Sequence, residues 1–373
     1  MIACPTNVEE ICDIIGSSAK VMPHGSRTKN ALVATVAPTE VTYVDMRGIS
    51  GIVSYDPSEF LITAKAGTTV AEVADALAKH GQFLPFDPVW CARGATLGGT
   101  VAAGLSGPSR VLYGSIRDFI VEMAMVDGLA RQVRGGGKVV KNAAGFDFPK
   151  MMVGSYGRMG LLTEITMKVF PRPQAYMTLL WDAPSLTACI AAVARILGQP
   201  LQIAAIEIDP PDSMIIRIAG PQDALGNMAD RVDRLIGSPT SRVINPAAEQ
   251  RIWSDRTELG WIDDGQSVAK IATTIQHTEL LLQSLSSLEC VRGVISSCAG
   301  TVIWVALDLD QSIDPLDQLL NQLNLSAVVV NGQVSDLTLL GNREWVRFAT
   351  RIQRAIDPAA KFASFAPTAS AGE

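Results

Sequence analysis

Three glycine-rich stretches, all within residues 1–171, split this chain into two unlike parts. They read MPHGSRTKN (22–30), LPFDPVWCARGATLGGTVAAGLSGPSRVLYGSIRDFI (84–120) and RGGGKVVKNAAGFDFPKMMVGSYGRMGLLTEITMKVFP (134–171). Glycine reaches φ > 0 and lets a backbone or a flat ligand come close, so each stretch is either a tight connection or the wall of a ligand site. Between them lie short β-branched runs bounded by turn residues, VTYVDM (41–46), GIVSYD (51–56) and FLITAKAG (60–67), which read as strands. VEEICDIIGSS (8–18) reads as a short helix. So does TVAEVADALAKHG (69–81), where Val70, Val73, Ala74 and Leu77 recur at helical spacing, with Thr69 as N-cap and Gly81 as C′ stop.

The character changes near residue 171, where LLTEITMKVFP reads as a strand ended by Pro171. Strand runs at 177–181, 203–208, 213–220 and 241–245 then interleave with helical runs at 185–197 and 223–236. A second set follows, with strands at 267–274, 292–300, 301–309 and 327–332 and helices at 278–289 and 314–323. Each set has the order β-α-β-β-α-β, the split βαβ unit, and two such units can lie side by side as one sheet with helices on one face. REWVRFATRIQRAI (343–356) is a last amphipathic helix, ended by Asp357-Pro358. The expected class is α+β, with domains at 1–172 and 173–340 and a C-terminal helix and tail at 341–373.

A chain of 373 residues is long enough for two such cores. Its formal net charge of −6 provides no broad field for nucleic acid. No apolar run approaches the ~18 residues of a spanning helix. The first residues lack a charged region followed by an apolar one, so no export signal and a cytoplasmic location are expected. Cys4, Cys12, Cys91, Cys189, Cys290 and Cys298 are scattered without a C-x-x-C, which fits a reducing compartment and argues against an iron–sulfur or zinc site on this chain.

In the first stretch, Gly25 allows successive N–H groups to converge as an anion nest, Ser26 and Thr28 add hydroxyls, and Arg27 and Lys29 add positive charge. Those are the parts a pyrophosphate needs, and they equally make a polar turn. The stretch is neither G-x-x-x-x-G-K-[ST] nor G-x-G-x-x-G, so ATP hydrolysis and a Rossmann site are both poorly supported. The second stretch sets Gly98, Gly99 and Gly104 among small residues, with Thr96 and Thr100 able to hydrogen-bond a ligand; such tracts also pack helices tightly. Arg117 beside Asp118 reads first as a salt bridge holding its loop. In the third stretch Lys141 and Asn142 follow a hairpin-like GGGK turn, and Gly154, Gly157 and Gly160 precede an apolar strand.

In this order and spacing, GGTVAAGLSGPSRVLYGSIRDFI and VVKNAAGFDFPKMMVGSYGRMGLLTEITMKVFPRP resemble the FAD-binding domain of the vanillyl-alcohol oxidase (PCMH-type) flavoprotein family, over about residues 1–175. Within that family the likeness is to the FAD-binding subunits of bacterial glycolate oxidase (glycolate dehydrogenase). The resemblance implies a PCMH-type FAD-binding domain of two α/β subdomains, then a ferredoxin-like duplicated βαββαβ cap over the flavin's reactive face. It implies that His24, Gly25, Ser26, Arg27, Thr28 and Lys29 hold the pyrophosphate. Pro88, Thr96, Leu97, Gly98 and Gly99 would run along pyrophosphate and flavin, continued by Ala102, Gly104 and Gly107. Tyr113, Gly114, Arg117 and Asp118 match the next segment, and Gly154, Gly157, Gly160 and Leu161 the loop around the adenine end and isoalloxazine. Members with covalent FAD carry a His where Arg27 stands, so non-covalent FAD is expected, with His24 at most a hydrogen-bond partner.

Oxidising a 2-hydroxy acid needs a base for the hydroxyl proton and a cation for the carboxylate. Related 2-hydroxy acid dehydrogenases carry an H-x-G-D-G-N type motif near the cap; His24, His80 and His277 all lie outside such a motif. His277 reads as an ordinary helix N-terminal residue. Arg343, Arg347, Arg351 and Arg354 read as a solvated or partner-facing edge. No catalytic residue and no metal site are assigned. The resemblance therefore implies an FAD-dependent oxidoreductase acting on CH–OH donors as one subunit of a complex that oxidises glycolate to glyoxylate. The main catalytic site would lie on a sister FAD subunit, electrons would leave through an iron–sulfur subunit, and the complex would sit peripherally at the inner membrane. A stand-alone FAD-dependent D-2-hydroxy acid dehydrogenase and a flavin-free scaffold are the alternatives.

Overall fold

The computed structural model describes residues 1–35, 38–137 and 147–365; Lys141, Asn142 and the end of the GGGK turn lie outside the described residues. The chain opens with β1 (Ile2–Ala3), α1 (Val8–Ser17), β2 (Lys20–His24) and β3 (Val41–Asp45), whose strands form a parallel sheet of order β1-β3-β2. Asn7 caps α1 by accepting from Glu10 N, and the apolar stripe of that helix buries Ile11 and Ile15 against Val21 and Val44.

Next come β4 (Ile52–Asp56), β5 (Leu61–Lys65), α2 (Val70–Ala78), β6 (Gln82–Phe83), α3 (Leu97–Ala103), α4 (Arg110–Tyr113), α5 (Ile116–Phe119), β7 (Ile120–Val126), β8 (Gln132–Gly136), α6 (Phe148–Met151), β9 (Leu161–Lys168) and β10 (Phe170–Pro171). Five of these strands make an antiparallel sheet of order β4-β5-β9-β7-β8. Thr69 caps α2 as expected, accepting from Glu72 N. Gly81 (φ +64°) is not the residue after the cap: His80 N and Gly81 N bond back to Leu77 and Ala78 carbonyls, so the turn comes two residues beyond the Lys79 cap. The strand expected to reach Pro171 stops at Lys168, because Phe170 and Pro171 pair instead with β6.

The second half comprises β11 (Ala175–Asp182), α7 (Leu186–Leu197), β12 (Ile203–Asp209), β13 (Ser213–Gly220), α8 (Leu225–Ile236), β14 (Ser241–Val243), α9 (Pro246–Glu258), β15 (Ser267–Ala272), α10 (Ile275–Leu285), β16 (Val291–Ser297), β17 (Val302–Leu307), α11 (Asp314–Gln322), β18 (Ser326–Asn331), β19 (Leu339–Gly341) and α12 (Glu344–Ile356). Its strands form one sheet of order β14-β11-β13-β12-β16-β17-β15-β18-β19. In each unit the fourth strand lies beside the first, and the third lies between the first and the second. The two units join edge to edge where Ile208 of β12 pairs with Ser296 of β16. Helices α7 and α8 cover Leu179, Ile206 and Ile216, and α10 and α11 cover Ile271, Ile303 and Val305 on the same face.

The helices are not confined to that face. Helix α9, which the sequence pattern did not mark, packs on the other one. Its Trp253 is buried with Ala205 and Ile215, and Trp253 Nε1 donates to Thr178 Oγ1 at 2.8 Å. Its buried Glu249 accepts from Arg217 Nε at 2.7 Å and Nη2 at 3.0 Å. A sheet-facing side carrying a carboxylate produces no apolar stripe, so helical periodicity is silent there. The available signal was Asn245-Pro246: Asn245 accepts from Ala247 N and Ala248 N, and Pro246 takes the first helical position. The remainder of this face, with Val302, Trp304, Val328 and Val330, packs on Ala103, Leu105 and Ile116 of the N-terminal half.

After α12 the chain returns to the first sheet. Val21 N donates to Lys361 O at 2.7 Å, and the Asp357 carboxylate accepts from Lys361 N and Phe362 N at 2.9 and 2.8 Å. Buried Arg158 ties three distant segments together, donating to Ala34 O at 2.8 Å and Ser364 O at 2.6 Å, while Gln353 Nε2 donates to Arg158 O at 2.7 Å. Arg158→Ala is expected to strand these carbonyls in a dry interior and cost about 2–5 kcal/mol, read as a lower urea midpoint. Arg158→Lys should recover only part of the loss, because one ammonium does not replace the guanidinium fork.

Candidate functional site

Strand β2 ends at His24, and the chain then enters a cleft whose walls are the three glycine-rich stretches. The first wall touches the second at Gly25, where a Cβ would lie 2.1 Å from Thr96 Oγ1. Thr96 is also the N-cap of α3, its Oγ1 accepting from Gly99 N at 3.3 Å. Gly98 lies against the end of β5: its N donates to Ala66 O at 2.7 Å, and a Cβ would sit 2.7 Å from Ala66 Cβ. The third wall closes on both, since Tyr156 N donates to Ala102 O at 2.9 Å and Gly157 packs on Pro23.

His24, Gly25, Ser26, Arg27, Thr28, Lys29, Thr96, Gly98, Gly99, Ala102, Gly157 and Gly160 all line this cleft. Sequence reasoning missed Pro23, Leu32, Val33, Met46, Ala66, Ala103, Tyr156 and Leu162, which line it too. Tyr156 was within reach, standing between two of the glycines already singled out; the apolar residues carry no mark until the fold exposes them. The other expected residues are placed elsewhere. Leu97 and Leu161 are fully buried in apolar clusters. Gly104 (φ +64°) ends α3 against Gly154, and Gly107 packs on Asp87, its N bonding Phe86 O and Asp87 O. Pro88 O accepts from Cys91 Sγ. Arg117 is exposed, and Asp118 bonds Ser115 N and Oγ at 2.8 and 2.9 Å rather than Arg117, so a capping box replaces the anticipated salt bridge.

The charge in the cleft is distinctive. Lys29 is buried, yet its ammonium reaches only Thr28 Oγ1 at 3.3 Å and the face of Trp90, 5.4 Å from the ring centroid. Among the described residues it makes no ion pair, the Glu258 carboxylate acts on it from farther off, and burial pushes its pKa down to about 8. Arg27 Nη2 lies 2.9 Å from His24 Nε2, and His24 Nδ1 lies 2.8 Å from Gly25 O. An arginine only donates, so Nε2 accepts and Nδ1 carries the proton that goes to Gly25 O. Both imidazole nitrogens are thereby engaged, and burial holds the ring below the usual imidazole range. The cap clamps this loop from above, Asn331 Nδ2 donating to Thr28 O at 3.1 Å and Gly332 N to Asn30 Oδ1 at 2.9 Å, and it meets the second wall where Trp90 Nε1 donates to Glu258 O at 3.0 Å.

Glycine walls beside a buried ammonium that makes no ion pair among the described residues fit an elongated ligand that has a flat ring and an anionic bridge. Thr100 Oγ1 and Ser155 Oγ, behind the lining residues, are buried without a partner and do not themselves line the cleft. No group of His, Cys, Asp or Glu among the described residues could hold a metal ion. His277 sits in the first turn of α10, as expected for a plain helix-start residue. Arg343 pairs with Asp317 at 2.5 Å, and Arg347, Arg351 and Arg354 are exposed.

Residues 1–136 match the FAD binding domain family. Glycolate oxidase subunit GlcE of Escherichia coli (strain K12) is 40% identical over 199 residues, covering 53% of this chain and 56% of that protein. D-lactate dehydrogenase of Anaerostipes hadrus is 29% identical over 206 residues, covering 54% and 43%. Glycolate oxidase subunit GlcD of Bacillus subtilis (strain 168) is 28% identical over 221 residues, covering 58% and 46%. The chain thus spans about half the length of the curated relatives it matches. A structure of alkyldihydroxyacetonephosphate synthase superposes with a TM-score of 0.72 at 18% identity, covering 98% of this chain and 77% of that one. At that identity the likeness concerns the fold, and the PCMH-type architecture expected from the sequence is the one present.

The contact between the first two walls is testable. Gly25→Ala would drive a methyl into Thr96 Oγ1 and is expected to lower stability by about 1–3 kcal/mol. Gly16→Ala, in α1 with open space around it, should instead gain up to about 1 kcal/mol. Thermal denaturation of the two variants reads both signs.

Proposed function

We propose that this chain, whose residues 1–136 carry an FAD binding domain, is the FAD-binding subunit of a complex that oxidises glycolate or a similar small 2-hydroxy acid and passes the electrons to an iron–sulfur partner. The observation that carries this reading is Lys29: a buried ammonium with no carboxylate in ion-pair contact, Glu258 acting on it only from farther off, is costly unless a ligand brings negative charge. The diphosphate of FAD supplies it. When bound, FAD provides the two-electron acceptor for oxidation of a CH–OH group. Lys29 and Arg27 neutralise the diphosphate, His24 orients the Arg27 guanidinium, and Gly25, Gly98 and Gly99 let backbone amides approach it. Binding is non-covalent: both nitrogens of His24 are already engaged.

The cap places no histidine to serve as a base in an H-x-G-D-G-N setting, so the hydroxyl proton is removed on a sister FAD subunit. The naming of two relatives as glycolate oxidase subunits supports a multi-subunit assembly. Among the described residues no helix is long and apolar enough to cross a membrane. The D-lactate dehydrogenase relatives favour the second reading, a stand-alone D-2-hydroxy acid dehydrogenase.

The two readings separate in a dye-linked assay with glycolate and D-lactate. The chain alone should be nearly inactive, with turnover appearing when its native companion chains are present; robust turnover by the isolated chain would transfer the function to the stand-alone reading. Lys29→Met should lower FAD affinity at least about tenfold, a loss of roughly 1.4 kcal/mol, measured by quenching of added flavin's fluorescence.

A further inference from the structure

One face of α12 is covered by no other element among the described residues. The opposite side of the helix is firmly anchored. Val346 and Ala349 are buried in the core beneath it, and Gln353 Nε2 donates to Arg158 O and Ala363 O, both at 2.7 Å. The outer side presents Glu344, Arg347, Phe348, Arg351 and Arg354, all exposed and spaced so that they form a single stripe along the helix. Trp345 stands beside that stripe. Phe348 is 67% exposed and Trp345 37%, which makes Phe348 the most exposed aromatic side chain among the described residues.

Charge on the stripe is one-sided. The helix holds three arginines against one glutamate, in a chain whose 37 Asp and Glu outnumber its 31 Lys and Arg. Arg347 and Arg351 are four residues apart, and Arg351 and Arg354 three, spacings at which like charges on a helix repel. Among the described residues none of the three makes an ion pair; Arg343, just before the helix, takes Asp317 instead. A face turned only to water gains nothing from an apolar ring, yet Phe348 lies between Arg347 and Arg351. Phe, Trp and Arg together are residue types enriched where proteins meet. The face is also tied to the cleft. Trp345 meets Phe365 edge to face with ring centroids 6.0 Å apart, and Phe365 meets Tyr156, part of the cleft wall, at 6.3 Å.

We propose that this face of α12 docks another subunit of the complex, one that presents carboxylates around an apolar pocket; the inference rests on the multi-subunit function proposed above. Phe348 fills the pocket, Trp345 flanks it, and Arg347, Arg351 and Arg354 meet the partner's acids. The charge argues for that occupant, because a guanidinium fork matches a carboxylate and three of them here have none. A second copy of this chain would bring the same basic face to a two-fold interface and set arginines against arginines. A lipid surface calls for a broad apolar face, whereas Val346, Ile352 and Ile356 of this helix pack on the core.

The test purifies the full chain with its companion chains from cells that express it natively, through an N-terminal tag, and counts each companion, identified by mass spectrometry, against this chain. The parent should hold its companions at low salt and lose them as salt rises and screens the arginines. Arg347→Glu with Arg351→Glu should lower retention at low salt at least tenfold, and Phe348→Ala should weaken it as well. Arg234→Glu, on the exposed side of α8, should leave it unchanged. A photo-crosslinking phenylalanine analogue at position 348 should join an Asp- or Glu-bearing segment of a companion chain. Flavin content and thermal midpoint, read on every variant, should match the parent; if the double reversal does not fold, Phe348→Ala and Arg351→Gln decide. Companions held equally by the parent and the α12 variants would overturn the inference. So would cross-links only to a second copy of this chain, or binding to phosphatidylglycerol-containing vesicles that the same variants abolish while companions stay bound. A flavin-loaded chain that brings no companion at all overturns the multi-subunit reading and this inference with it, so the two failures are told apart.

Discussion

The backbone of Gly25 lies where the side chain of Thr96 leaves no room for a Cβ, and the cleft depends on that contact. Thr96 serves two structures at once. It caps α3 on the antiparallel sheet, and it meets the end of β2 from the parallel sheet. Two subdomains with separate hydrogen-bond networks are thereby brought to van der Waals contact, and the space between them becomes a groove walled by main chain. A side chain at position 25 would push the two sheets apart.

Several distant segments hold this contact in place. The cap reaches down through Asn331, Gly332 and the Trp90–Glu258 bond. From behind, Arg158 joins the first loop to the segment that follows α12. These restraints bury Lys29 with no acid in ion-pair contact among the described residues, Glu258 acting only from farther off. A fold that keeps an ammonium in its interior without an ion pair sacrifices stability, and the sacrifice is recovered when an anion enters.

The glycine stretches were legible because each wall requires the absence of a side chain, and absence is visible in a sequence. Their limits were not. Leu97 adjoins Gly98 in the chain, but one step along a helix turns it by about 100°, away from the cleft and into the core. Gly104 and Gly107 serve a helix end and a packing contact with Asp87, a use that composition does not distinguish from ligand contact. The duplicated units were readable from the alternation of elements, whereas α9 was not, because the face it buries contains Glu249 and is answered by Arg217 from β13. The short β19 escaped notice for a related reason: three residues of edge strand carry too little pattern. Arg158, Gln353 and Asp357 are polar residues whose roles exist only after the chain has returned on itself.

The central claim is that this groove holds FAD by main-chain amides and two cations, with no covalent bond. Its most direct measurement is the flavin content of the native protein before and after acid precipitation. The account predicts a yellow protein that releases an equimolar amount of FAD into the supernatant and leaves a colourless pellet. A native protein that is colourless and fails to take up added FAD, or flavin that stays with the precipitated chain, would contradict it.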